Sequence, residues 1–461
     1  MIGLTILGLL ISPIIFVTSL RFRWALSAFI LSIPWKTAVL ATAVGHKFVL
    51  PEVTIIILIC HMGRRVITKK IKLPMHLTNI ALLGFGGAAT ISVLTLLFQP
   101  PTGLLGRPYN IATGYGAFTL VPISFSVDAL TQLALRWFFV VSTVSLGVVF
   151  STRNRILPWV LRITVYNALL VGWFGILYQL SLLGGIEAFP EGLQSLGFAR
   201  FPVSPGTLGA LPRMFSITGE PGATAHFLLF ALVITSLTAL SEDEGVFDRL
   251  PAAVFSVMLL GLIILTTGTT GYGGLIVFVI LLFATALLTE SVHFKTVTIV
   301  VSSTIVLGIT IVGILALVTD LGIIRTMSVQ LDKLQFSAQS GSLRARYIAH
   351  SLSLWAKRPL FGTGVGTQNG TSFLASSLAE TGLLGGAALV GAVLMAYRSG
   401  VATEQSVNDS VVVTTAVAAA TVGIVALVAR SSASSLFPWL WLALALPNSN
   451  LYKGLRDCPE N

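Results

Sequence analysis

The sequence predicts an all-α polytopic integral membrane protein with about 11–13 transmembrane helices. Three observations lead to this fold class: 55% of the 461 residues are hydrophobic, only 10% are charged, and the mean hydropathy is +0.91. Soluble domains carry about 25% charged residues, because a surface that faces water requires them. A chain with so little charge is expected to turn most of its surface toward lipid. Residues 1–461 are therefore predicted to form a single transmembrane domain.

Apolar runs locate the individual helices, since about 20 such residues cross the hydrocarbon core while satisfying their own backbone groups. The first run, up to Leu20, has no basic residues before it and no small-residue cleavage site, so it is predicted to be a retained helix. The predicted spans are 2–20, 25–44, 49–63, 77–98, 128–150, 157–183, 222–240, 250–267, 272–289, 296–319, 376–397, 410–430 and 434–447. The third and last spans are short, and Pro438 interrupts the last one, so the expected number stays a range.

Charge predicts the orientation of the bundle. Many basic residues lie in loops that fall on one side if the spans alternate across the membrane, and such loops are typically cytoplasmic. These residues are Arg21, Arg23, Arg64, Arg65, Lys69, Lys70, Lys72, Arg153, Arg155, Lys295 and Arg398. Contact with anionic headgroups accounts for the net charge of +11, so no nucleic-acid partner is expected.

Three long loops are predicted on the opposite, extracytoplasmic face, at 99–127, 184–221 and 320–375. The loop at 320–375, near the C-terminal end, is the largest and is rich in basic residues. It is predicted to be either a solvated loop or an electropositive site for an anionic ligand.

An amphipathic helix is predicted inside this largest loop, over residues 341–358. Helical spacing puts Leu343, Tyr347, Leu352 and Trp355 on one side of this segment, with basic residues elsewhere. Such a helix is expected to lie along the membrane surface or over a cavity.

An arginine, this amphipathic segment and two glycine motifs follow one another in SGSLRARYIAHSLSLWAKRPLFGTGVGTQNGTSFLASSLAETGLLGG, from Ser340 to Gly386. The segment resembles the signature region of the O-antigen ligase and polymerase superfamily. That region runs from an Arg through an amphipathic helix to Pro-Leu-x-Gly-x-Gly, and then to a helix that opens with Glu-x-Gly-Leu-x-Gly. The matching positions are Arg344, Pro359, Gly362, Gly364, Gly366, Glu380, Gly382 and Gly385.

Two other segments resemble the same superfamily. RMFSITGEPGATAHF, from Arg213 to Phe227, is similar to the Arg and Glu-Pro stretch that opens a middle helix, and LTTGTTGYGGLIVF is similar to the small-residue segment that follows it. One site departs from the ligase branch, which carries His-Asn where this chain has Gly370 and Thr371. This difference favours a repeat-unit polymerase over a ligase.

The resemblance implies glycan transfer from a polyprenyl diphosphate to a sugar hydroxyl, at the outer face of the bacterial cytoplasmic (inner) membrane. The main hypothesis is a glycosyltransferase that polymerises lipid-linked repeat units into surface polysaccharide, such as the O-antigen of lipopolysaccharide or an exopolysaccharide. The alternatives are an O-antigen ligase that acts on a lipid or protein acceptor, and a transporter of lipid-linked glycans or other solutes. Many transporters consist of two matching halves, and no such halves are visible in the sequence.

Arginine suits a leaving diphosphate, because its guanidinium is always charged and forks onto phosphate oxygens. The resemblance implies that Arg213 and Arg344 bind the diphosphate, with Arg346 as a third ligand. A solvated or headgroup-bound side chain is the alternative for Arg346. Arg136, about two turns into its helix from the outer end, is predicted to reach the donor or an anionic lipid.

The group that deprotonates the acceptor hydroxyl is expected to be a carboxylate or a histidine. Glu220, His226 and Glu380 are the predicted catalytic residues, and His350 is a further candidate. Helix capping is the alternative for both glutamates. The alternatives are a packing role for His226 and a surface position for His350.

No cofactor or metal is predicted, since the sequence lacks a nucleotide-binding fingerprint and a His/Cys cluster with zinc spacing. The expected partners are the polyprenyl-diphosphate-linked oligosaccharide and membrane lipids, together with a chain-length regulator or a flippase.

Overall fold

The structure, a computed structural model, is that of an all-α polytopic membrane protein. It describes residues 2–35, 38–43, 46–69, 77–107, 120–151, 156–196, 198, 207–208, 211–212, 214, 216–218, 220–241, 246–266, 268–288, 294–299, 301–302, 339–407, 410–429 and 442–444.

We number the longer helices within these residues in chain order. They are α1 (Ile6–Ser19), α2 (Phe22–Ser32), α3 (Leu50–Lys69), α4 (Leu77–Phe98), α5 (Val127–Ser151), α6 (Ile156–Leu183), α7 (Ala188–Leu196), α8 (Pro221–Leu240), α9 (Arg249–Leu265), α10 (Thr269–Leu288), α11 (Gln339–Lys357), α12 (Phe373–Val407) and α13 (Ser410–Ala429).

Seven helices of the described part are long and apolar enough to cross a membrane. These spans are Leu77–Phe98, Val127–Gly147, Ile156–Leu183, Pro221–Leu240, Thr270–Leu288, Phe373–Val401 and Ser410–Ala429. Each coincides closely with a span predicted from the sequence. Four further predicted spans correspond to shorter apolar helices, at Ile6–Ser19, Phe22–Ser32, Leu50–His61 and Arg249–Leu265.

The predicted span at 25–44 is wrong in its second half. Helix α2 ends at Ser32, and Val39–Ala43 is a strand (β2) between Ile2–Leu4 (β1) and His46–Val49 (β3) in a small antiparallel sheet. Pro34 cannot continue a helical hydrogen-bond ladder, and β-branched residues favour the extended backbone that follows. Most of the predicted spans at 296–319 and 434–447 lies outside the described residues.

The predicted extracytoplasmic loops contain short elements of their own. Leu105–Gly106 (β4) pairs with Val121–Pro122 (β5), and Thr207–Leu208 (β6) pairs with Leu211–Pro212 (β7). Helix α7 lies in the predicted loop 184–221, and α11 lies in the predicted loop 320–375, where the sequence predicts an amphipathic helix.

The chain forms two compact units. Unit 1 comprises residues 1–72, 153–331 and 408–414, and unit 2 comprises residues 73–152, 332–407 and 415–461. The prediction of a single transmembrane domain concerns the whole chain, and it stays a prediction.

Each unit has its own core. In unit 1, α8 packs against α6, α9 and α10. Of the most apolar 18-residue stretch of α8, 83% is buried inside the protein. In unit 2, α12 packs along α4 and against α11, while α4 also contacts α5. Most of the predicted site residues that the structure describes lie in unit 2.

Candidate functional site

The structure brings two of the predicted site residues together. Arg136 on α5 and Glu380 on α12 form an ion pair between Nη2 and Oε2, and both side chains are completely buried. The guanidinium of Arg136 also lies over the ring of Phe85 on α4, with its carbon 5.7 Å from the ring centroid. A buried charge of this kind requires such partners, because desolvation is costly. Each residue therefore neutralises the other.

Both carboxylate oxygens of Glu380 are engaged. Oε1 accepts hydrogen bonds from the backbone N–H groups of Gly366, at 2.8 Å, and Gln368, at 3.2 Å. These donors belong to the segment 359–368, which we call the glycine turn. Successive N–H groups of such a turn form a concave anion site. Here the anion is the carboxylate of Glu380, so this arrangement favours a positioning role for Glu380.

The glycine turn fits against a break in α12. Gly382 has a φ of 67° and a ψ of −164°, which interrupts the helix. The carbonyls of Ala379 and Glu380 instead accept from the N–H groups of Thr363, at 2.8 Å, and Gly364, at 3.1 Å. The N–H of Leu383 donates to Pro359 at 2.7 Å. The freed backbone groups are thus satisfied by protein, as a helix break within a membrane requires.

Helix α11 is held against this turn by one face. Tyr347, Ser351 and Leu354 are buried, and the side-chain amide of Gln368 donates to the hydroxyl of Ser351 at 3.0 Å. The prediction that Leu352 belongs to the apolar face is wrong, since Leu352 is 40% exposed. A helix repeats every 3.6 residues, so positions 347, 351 and 354 share a face from which position 352 is turned away.

Helix α11 also carries exposed basic side chains. Arg344, Arg346 and Lys357 are exposed, and the whole segment 339–372 contains no Asp or Glu. Arg107 lies at the buried side of the same helix, with its guanidinium carbon 4.3 Å from the ring centroid of Tyr347. We call these four residues, Arg107, Arg344, Arg346 and Lys357, the cationic group. An arrangement with no acid in its own segment attracts anions.

The predicted position of the ligase histidine is enclosed. The N–H of Gly370 donates to the hydroxyl of Ser376 at 3.0 Å, and the neighbouring hydroxyl of Thr371 donates to the carbonyl of Arg344 at 3.4 Å. A Cβ atom at Gly370 would overlap Ser376 Oγ and lie 3.2 Å from Ser351 Oγ. Glycine therefore fits this position, whereas a larger side chain requires the neighbours to move.

His350 connects α11 to β4 through a hydrogen bond between its Nε2 and the carbonyl of Leu105, at 3.1 Å. Burial lowers the pKa of His350, and the charge of Lys357 acts in the same direction, although the bond to Leu105 opposes both. The neutral ring is therefore the form that stabilises the fold. Its contribution is complete above the ordinary histidine pKa of about 6.5 and is lost as the pH falls through the lower, folded-state pKa.

Acidification should consequently destabilise the fold, because it charges a partly buried ring close to Lys357. We expect the melting temperature to fall more between pH 7.5 and pH 5 in the wild type than in His350→Gln, whose amide keeps a donor without titrating. The measurement is thermal unfolding of both proteins in detergent across this pH range. Identical pH profiles would show that His350 does not carry the effect.

The other predicted residues lie in unit 1 or outside the described residues. Glu220 is the N-cap residue of α8, followed by Pro221, and its side chain makes no capping hydrogen bond. His226 is completely buried on the same helix. Arg213 lies outside the described residues. Nothing in their surroundings tests the catalytic roles predicted for Glu220 and His226 or the binding role predicted for Arg213, so these roles stay predictions.

Two polar residues of α5 escaped the sequence analysis. Asp128 Oδ2 and Gln132 Oε1 are buried and accept no hydrogen bond from the described part of the chain. The spacing Asp128–Gln132–Arg136 repeats every four residues, which puts all three on one side of the helix. Three polar residues on one side of an apolar helix were the signal that could have found them.

Among the residues that the structure describes, no three His, Cys, Asp or Glu side chains are arranged to hold a metal ion. The absence of cofactors and metals stays a prediction. In comparisons with known proteins, no protein-family model matches the chain, and no curated protein is found to be similar to it.

Proposed function

We propose that the chain is a glycosyltransferase that polymerises polyprenyl-diphosphate-linked oligosaccharide repeat units into surface polysaccharide. The reaction takes place at the outer face of the bacterial cytoplasmic membrane. The observation that carries this proposal is the arrangement of the segment Ser340–Gly386 in unit 2. Its cationic helix α11 is hydrogen-bonded to the glycine turn through Ser351 and Gln368. The glycine turn in turn donates two backbone hydrogen bonds to the carboxylate of Glu380.

The cationic group suits the leaving group of this reaction. A diphosphate that departs from a sugar carries negative charge that the enzyme must neutralise, and fixed cations stabilise such a charge as it develops. Arg344 and Arg346 present exposed guanidinium groups on α11 and bind the donor diphosphate. The polyprenyl chain lies in the surrounding lipid, which the exposed apolar side chains of the spans contact.

The environment of Gly370 supports polymerisation over ligation. The resemblance puts the histidine of a ligase at this position, where the structure has a glycine enclosed by Ser351 and Ser376. The acceptor in this proposal is another repeat unit on its lipid carrier. A chain-length regulator and a flippase are the expected protein partners, since they would set polymer length and supply the donor.

The glycans of a strain that lacks the gene test this proposal. We expect single repeat units on the surface and no long ladder on a gel of surface and lipid-linked glycans. Long chains that build up on the lipid carrier would identify a ligase instead. Ladders of normal length and amount would contradict both activities and favour a transporter.

Substitution of Arg344 by alanine should abolish polymer formation while the protein remains folded in the membrane. Hydrogen bonds to charged groups contribute about 1.5–3 kcal/mol, so donor binding should weaken by roughly 10- to 150-fold. The measurement compares polymer length and donor binding at equal protein level. Arg213→Ala is expected to have the same effect on polymer.

Arg249→Ala is the matched control, because Arg249 is also exposed but begins α9 in unit 1. The control should make normal polymer. If Arg344→Ala also makes near-normal polymer, Arg344 is not part of the donor site.

A further inference from the structure

Two acceptor oxygens of helix α5 are buried without a hydrogen-bond donor from the described residues: Asp128 Oδ2 and Gln132 Oε1. A buried acceptor without a donor destabilises the fold. A ligand that donates hydrogen bonds would satisfy both oxygens, which lie on one side of the same helix. Sugar hydroxyl groups are such donors, and carboxylate and amide side chains accept from them.

Asp128 lies beside the glycine turn. A Cβ atom on Gly366 of the glycine turn would lie 3.4 Å from the carbonyl oxygen of Asp128 and 3.1 Å from the Cα of Ala129. Ala129 also belongs to the same buried cluster as Leu354 of the cationic helix α11. The first turn of α5 is therefore packed directly against the elements that carry the proposed diphosphate site.

Of the two carboxylates whose side chains the structure describes in unit 2, Asp128 is the better base. Glu380 has its oxygens engaged by Arg136, Gly366 and Gln368, so it has no oxygen available for a substrate proton. Asp128 keeps Oδ2, which accepts no bond from the described chain. A general base must reach the proton that it removes.

We propose that Asp128 and Gln132 bind the acceptor sugar, with Asp128 as the general base of the transfer. This inference rests on the proposed function. The acceptor hydroxyl oxygen attacks the anomeric carbon of the donor and forms the new glycosidic bond. The bond from that carbon to the diphosphate breaks, the diphosphate leaves with the electron pair, and the hydroxyl proton passes to Asp128 Oδ2. Gln132 accepts a hydrogen bond from a second hydroxyl and orients the sugar.

The test uses the full chain in proteoliposomes. The donor probe is lipid-linked repeat units extracted from a strain that lacks the gene, and the acceptor probe is the free oligosaccharide released from the same lipid. Asp128→Asn should lower the turnover number by about 100-fold or more, because general-base catalysis contributes about 10²–10⁴. The KM for the donor should stay within about threefold, a change equivalent to roughly 0.7 kcal/mol. Gln132→Leu should raise the KM for the acceptor instead, and Asp128→Glu should recover part of the turnover.

Asp248→Asn is the matched control. Asp248 is an exposed carboxylate at the start of α9 in unit 1, and its loss should leave turnover unchanged. Turnover in Asp128→Asn within tenfold of the wild type would overturn the inference. If that variant does not fold, an unchanged acceptor KM in Gln132→Leu overturns it. A wild type that transfers no glycan from the donor to the acceptor contradicts the proposed function itself.

Discussion

Replacement of Arg136 by methionine should destabilise the protein by about 3–5 kcal/mol, the largest effect we expect from a single side chain. The change leaves Glu380 as a buried negative charge without its cationic partner, while the methionine fills much of the former volume. Ser92 still donates to the carbonyl of Glu380, and the glycine turn still donates to its carboxylate, but neither supplies a compensating charge. Thermal unfolding in detergent measures the loss.

A double substitution separates charge from packing. Arg136→Met with Glu380→Gln removes both charges and keeps an oxygen that can accept from Gly366 and Gln368, so it should be more stable than Arg136→Met alone. Arg162→Met is the control, because Arg162 is exposed on α6 and donates to the carbonyl of Val246 at 2.6 Å. Arg162→Met should destabilise the protein less than Arg136→Met does. If Arg136→Met is no more destabilising than Arg162→Met, the buried pair does not hold unit 2 together.

Gly382→Ala should be the second most damaging substitution, with a cost above the roughly 1–3 kcal/mol of an unfavourable backbone conformation alone. The φ of 67° disfavours any side chain. A Cβ atom would also overlap the carbonyl of Leu360 and lie 2.6 Å from the nitrogen of Phe361. These are backbone atoms, which cannot rotate away. The glycine turn would therefore be pushed off the helix, and both protein level and thermal stability should fall.

Gly391→Ala provides a control on the same helix. A Cβ atom at Gly391 meets nothing within 4 Å, and alanine has the better helix propensity. We expect this variant to match the wild type or to unfold at a slightly higher temperature. Equal behaviour of Gly382→Ala and Gly391→Ala would mean that the break in α12 is not required.

Hydropathy predicts much of the fold, because a helix that crosses lipid must present about 20 apolar residues and satisfy its own backbone groups. The sequence places a span at 77–98, and the structure has a helix at Leu77–Phe98. The prediction fails after Ser32, where the residues of β2 are as apolar as those of a helix. Mean hydropathy does not distinguish a strand from a helix. Pro34 and the β-branched residues that follow it are the local signals that favour a strand here.

Individual members of the buried pair could be found from the sequence, but their pairing could not. Arg136 was predicted to bind substrate, since an ionisable residue within a membrane is a functional candidate. Glu380 was predicted to be catalytic because it stands in the motif that resembles the superfamily. The structure shows that they contact each other across 244 positions of sequence. A single sequence contains no signal for so distant a contact. The glycine motif predicted a turn, but not that its N–H groups bind Glu380.

The separation of this pair along the chain has a consequence for biosynthesis. Arg136 enters the membrane 244 residues before Glu380 is translated, an interval of roughly 10–50 s at about 5–20 residues per second. An arginine at the centre of an isolated span costs about 2.5–3.5 kcal/mol during insertion. Phe85 on the preceding helix is already synthesised and offers its ring to the guanidinium. The ring of Phe85 is therefore a partner for this charge that is made well before the late helix.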